Sequence, residues 1–141
     1  VIYTDMFKKN AINWAGQIKN NADINELFDR SELRPVGLFK HHSLNAISIM
    51  TMGNLNALWT IDERQLEMYV LDAGSYRSAS NSFSVQMGLR DEVAQLLVLY
   101  KNQLLYHAIQ SNISVSEVQA ILDKHYPLPA DGDDQQHDAP E

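Results

Sequence analysis

Residues 89–110, LRDEVAQLLVLYKNQLLYHAIQ, constrain the fold of this chain more than any other segment. Val93, Leu97, Tyr100, Leu104 and Ala108 recur at steps of three or four, the helical period. Ala94, Val98, Leu105 and Ile109 form a second stripe beside the first. A helix apolar on more than one side is wrapped by other elements. The spacing therefore predicts a helical spine for the core, or a helix that is half core and half subunit interface.

The other 119 residues of the 141-residue chain suffice to wrap such a spine in one domain, expected over residues 1–129. Hydrophobic residues make up 45% and charged residues 21%, so enough apolar mass is available for a soluble globular core. There is no cysteine. A disulfide framework, a thiolate nucleophile and a cysteine-ligated zinc are thereby excluded.

Charge is unevenly placed within the net −7. Asp131, Asp133, Asp134, Asp138 and Glu141 crowd the last residues, so residues 130–141 read as a disordered acidic tail on a nearly neutral body. The basic residues are scattered, with Lys8 and Lys9 the only adjacent pair. Nucleic acid needs clustered cations, so it is not an expected partner. No run approaches the roughly 18 apolar residues of a membrane span, so no membrane partner is expected either. The chain opens on Val1 with no signal peptide, which suggests that an upstream piece was removed or left out. A cytoplasmic location is expected, with export of a processed chain left open.

Along the chain, Phe7, Ala11, Trp14, Ala15 and Ile18 predict an amphipathic helix over residues 5–20. Asp23 and Glu26 make a capping-box pattern before a short helix that Pro35 and Gly37 close. Residues 46–52 (AISIMTM), Gly53–Asn54 and the following LNALWTI predict a β-hairpin. Residues 66–73 supply a third strand. A helical reading of the middle competes, with Thr60 and Glu63 as a cap and Gly74 at a helix end. Residues 74–82 read as a polar connector and 82–89 as a further strand. Asp91 and Glu92 suit the first turn of the spine helix. Ser114 and Glu117 open a last helix that ends before Pro127 and Pro129.

Chemistry is sparse. His41 and His42 are the most reactive-looking pair, since neutral imidazole binds metals and moves protons near neutral pH. Adjacent residues seldom point at one ion, and no carboxylate lies within four positions of the pair. His107 on the spine has no second ligand at helical spacing. Asp133, Asp134 and His137 lie in the tail. Asp62–Glu63 and Asp91–Glu92 are explained by turns and helix starts before any catalytic role. No nucleotide loop, nucleophile elbow or zinc-protease motif occurs. A helix-turn-helix over 90–126 lacks arginine in its second helix. Met50 and Met52, with Trp59 and Tyr69, form a candidate adaptable binding surface, and His41 and His42 complete the candidate site.

The expected fold is α+β: a small antiparallel sheet flanked by N-terminal and C-terminal helices, with an all-α bundle of five to six helices as the alternative. The expected function is a non-catalytic protein–protein interaction or regulatory protein, an adaptor, inhibitor or chaperone working as a homodimer on a protein partner. A small-molecule sensor and a small histidine-dependent enzyme are the other readings. No catalytic residue, metal or cofactor is expected.

Overall fold

The protein is described by a computed structural model over residues 12–129. The expected acidic tail and the start of the expected first helix lie outside those residues. The order is β1 (Trp14–Gln17), α1 (Asn21–Ser31), β2 (Val36–His41), α2 (Ala46–Leu58), β3 (Glu67–Asp72), α3 (Arg77–Met87), β4 (Gln95–Tyr100), β5 (Gln103–Ile109), a 3-10 turn (Gln110–Asn112) and α4 (Val115–His125). The strands lie in the order β1-β3-β2-β4-β5. The first three are parallel, and β4 and β5 are antiparallel to their neighbours. The α+β class holds and the all-α alternative does not, but the sheet is mixed rather than purely antiparallel.

The segment 89–110 is the largest correction. It is a β-hairpin, not a helix. In β4, Leu96 and Val98 enter one core while Leu97 and Leu99 enter the other. A strand buried on both faces reads as an unbroken apolar run, and periodicity cannot tell it from a buried helix. The turn is Lys101–Asn102, both at positive φ (55° and 60°), joining the paired Tyr100 and Gln103. Two successive residues in that region form the tight turn that matches strand twist.

The expected hairpin over 46–61 is also corrected, since residues 46–58 are α2. Strands β2 and β3 are parallel, and parallel neighbours need a crossover, usually a helix. Gly53–Asn54 therefore sits mid-helix rather than at a turn. The third strand, 66–73, stands as β3. The polar connector and the strand expected over 74–89 are instead α3, closed by Gly88 at φ 69°. Trp14–Gln17, expected within a helix, form edge strand β1. Helix α1 begins one turn before the expected Asp23: the Asn20 side chain accepts the Asp23 amide at 2.9 Å. The last helix stands as expected, with Ser114 Oγ accepting the Glu117 amide.

Helices α1 and α3 cover one face of the sheet, where Phe28 and Phe83 stack at 6.0 Å. Helices α2 and α4 cover the other, around Phe39, Leu55, Met68, Val118 and Leu122. The chain leaves β2 for one face and β3 for the other. That divergence opens a crevice at the carboxyl ends of two adjacent parallel strands, where open α/β sheets place their ligands.

Candidate functional site

The crevice is built from the end of β2, the corner into α2, and the end of β3. His41 and Asp72 are paired residues of the two strands, and the Ala73 amide donates to the His41 carbonyl at 2.6 Å. The His41 ring stacks on Phe39 at 5.9 Å. Its Nδ1 lies 2.7 Å from Ser48 Oγ, which also accepts the His42 amide at 2.9 Å. Ser48 is fully buried. Its hydroxyl hydrogen is best satisfied by donating to His41 Nδ1, which leaves the His41 proton on Nε2. Burial lowers the His41 pKa, Asp72 opposing it, so the ring is neutral near pH 7.

His42 faces β3. A Cβ on Gly74 would lie 2.7 Å from its ring, so only glycine leaves the ring its place. His42 Nδ1 accepts the Leu44 amide. Ser43 donates its hydroxyl and amide to Asp72. Burial opposes the Asp72 charge, but these bonds and the Gly74 amide outweigh it and hold the carboxyl below its usual range.

Asn45 closes the corner. It sits in extended geometry as the cap of α2, and its Oδ1 accepts the Ser48 amide at 2.9 Å. The unpaired amides and partial positive charge of a helix start suit an anion. Reactive cysteines are activated in the same setting. Asn45 occupies that position at this corner, in a chain that has no cysteine.

A groove of about 400 Å³ starts in the first turn of α2, with Ile47, Met50 and Leu58 on one wall and Gln110, Ile113 and Val115 on the other. No charged side chain lines it. Met50 is 60% exposed and Leu44, at the corner, 88%. The far wall is fastened to the segment before β4, since the Gln110 amide donates to the Ala94 carbonyl at 2.9 Å and Gln110 Nε2 to the Val93 carbonyl at 3.1 Å. The Val93–Ala94 peptide is cis.

The expected site residues are only partly brought together. His41 and His42 share the crevice. Met50 lines the groove, while Met52 packs partly buried against the core and Trp59 is buried at the end of α2. Tyr69 belongs to the opposite face, where its hydroxyl donates to Glu67 at 2.8 Å. The proposed Met and aromatic surface is thus divided by the sheet. Ser43, Asn45, Ser48, Asp72 and Gly74 were not expected. Asn45 with Ser48 does carry a sequence signal, a capping residue three positions before a side chain in the first turn. Among the described residues no cluster of His, Asp or Glu could hold a metal, and no helix is long and apolar enough to cross a membrane.

The family model described as monothiol bacilliredoxin BrxC matches residues 16–118. No curated protein matches the chain. Among solved structures, one described as having a thioredoxin fold superposes at TM-score 0.64 with 17% identity, covering 82% of this chain and 96% of its own. Thioredoxin from Fasciola hepatica gives 0.57 at 12% identity, with 77% and 97% covered. Thioredoxin O2 from Arabidopsis thaliana, in its oxidised state, gives 0.56 at 9%, with 82% and 98% covered. The fold is thioredoxin-like. The family match overturns the expectation of a non-catalytic adaptor, inhibitor or chaperone, and with it the expectation of no enzyme. It points to thiol–disulfide redox chemistry, and nothing in the matches supports a regulatory homodimer. The lack of cysteine excludes a thiolate nucleophile on the chain itself and leaves sulfur supplied by a substrate open.

Proposed function

The chain belongs to the monothiol bacilliredoxin family, and from that premise we propose that it is a thiol–disulfide oxidoreductase whose reacting sulfurs all come from its substrates. The observation that carries this reading is a redox-family chain without cysteine that keeps a capped helix start, Asn45, at the carboxyl end of its central strand.

The step balances without an outside oxidant. A bound thiolate attacks one sulfur of a bound disulfide. The new S–S bond forms as the old one breaks, and the electron pair leaves with the released thiolate. The attacking sulfur is oxidised and the leaving sulfur reduced. The first-turn amides of α2 stabilise the anion, and His41 Nε2–H donates a hydrogen bond to the departing sulfur. Holding both partners at the corner raises their effective concentration. The uncharged groove suits the apolar flank of a substrate. Such exchange belongs where small thiols are abundant, so a cytoplasmic location is part of this proposal.

The test is the rate at which dithiothreitol releases a small thiol from a peptide mixed disulfide, with and without the protein. A faster rate with the protein, reduced in His41→Ala, is expected. A rate equal to buffer at all protein concentrations sinks the reading.

A further inference from the structure

Lys40 lies one residue before the site, on β2, and its side chain is wholly buried. Its Nζ has three acceptors for its three hydrogens: Asp91 Oδ1 at 2.6 Å, Ser84 Oγ at 2.7 Å and the Ser80 carbonyl at 3.4 Å. Asp91 Oδ1 also accepts the Ser80 hydroxyl at 2.6 Å. Burial lowers the Lys40 pKa, opposed by Asp91 and Glu92. A buried cation is costly, and replacing a buried pair by apolar groups is often neutral or stabilising. Stability alone does not account for an ammonium here.

The position of its partner does. Asp91 stands in the segment that leads from α3 into β4, two residues before Val93. In the ladder Lys40 is paired with Gln95, the first residue of β4. The buried Gln95 side chain contacts the Arg90 carbonyl at 3.5 Å and His107 Nε2 at 2.9 Å. The segment 90–94 is thus held from below by two buried polar side chains. It in turn holds Gln110, a wall of the groove, through the Val93 and Ala94 carbonyls.

We propose that Lys40 is a positioning residue: through Asp91 it fixes segment 91–94, and through that segment it fixes Gln110 opposite α2. This rests on the reading of the β2–α2 corner as the working site, but its test does not need activity. Lys40→Met removes the charge and keeps the length and apolar stem, and the partly exposed Asp91 can turn to water. The amide exchange of Gln110 is compared with that of Leu97 in mid-β4, alongside the melting temperature.

The expected result is a melting temperature equal to or above that of the unaltered protein, unchanged protection at Leu97, and protection at Gln110 lower by about tenfold or more. Unchanged protection at Gln110 overturns the proposal. So does a parallel loss at Gln110 and Leu97 with a lower melting temperature, the signature of a pair that merely stabilises the fold. Asp91→Asn carries the same comparison should Lys40→Met not fold. Failure of the redox reading would show separately, as absence of catalysed exchange by the unaltered protein.

Discussion

A helix start stabilises an anion only if its first amides are left free to face it, and Asn45 occupies the position from which a side chain reaches them. Its Oδ1 already accepts one, from Ser48. Asn45→Cys exchanges that oxygen for a sulfur one bond nearer the backbone, still at the helix start. The new thiol is expected to ionise below the roughly 8.5 of a free cysteine, read from thiolate absorbance against pH. A value at or above that of a free thiol would show that this corner does not favour anions. The adjacency of His41 and His42 was legible in the sequence, but what each ring does was not. His41 is oriented by Ser48, seven residues on, and His42 by Gly74, in the turn after β3. Neither contact lies within one element, so no periodicity announces it.

Helix α1 is joined to the sheet by a charged clamp. Arg30 Nε and a terminal nitrogen of its guanidinium donate to the two Glu67 oxygens at 2.6 and 2.5 Å, and the Tyr69 hydroxyl adds a third bond. The Arg30 bond lowers the Glu67 pKa against the opposing effect of burial. For the Tyr69 phenol, burial and then Glu67 push the pKa up to about 12. A carboxylate with a depressed folded pKa stabilises the fold above its unfolded pKa, and that contribution disappears as pH falls through the folded value. Glu67→Gln is therefore expected to melt below the unaltered protein at neutral pH, with the gap closing below about pH 4.5. Melting curves across that range check it, and a gap independent of pH would mean that the pair is not the source. The cap of α4, Ser114, was readable in advance because a cap is a local motif, whereas that of α1 is Asn20 and not the expected Asp23. The strands β4 and β5 were misread because both faces of β4 are covered, which erases the alternation that marks a half-buried strand.

Among the described residues, the sheet separates two cores that share no side chain. Phe39 lies in the one under α2 and α4, Phe83 in the one under α1 and α3, and both are essentially inaccessible. Each change to alanine is expected to cost about 3–5 kcal/mol. In the double variant the two costs should add to within about 0.5 kcal/mol, since the sites share no packing partners. Denaturant titration of the singles and the double measures this. A coupling well beyond that margin would show that the sheet transmits strain from face to face. The same two-sided cover places the crevice, since successive crossovers diverge to opposite faces at the ends of β2 and β3.

The α+β class and the strand β3 were expected from the sequence beside helical alternatives, which the mixed sheet removes. The last helix with its cap and the absence of any sulfur nucleophile on the chain were fully legible there, being local or compositional properties that no distant contact can revise. That residues 46–58 are a helix follows from tertiary context, because β2 and β3 lie parallel and must be joined by a crossover. The tertiary structure alone made the apolar run at 95–109 a hairpin, because helices cover both sides of β4. It also buried Lys40 against Asp91, a pairing between residues fifty-one positions apart that no periodicity can announce.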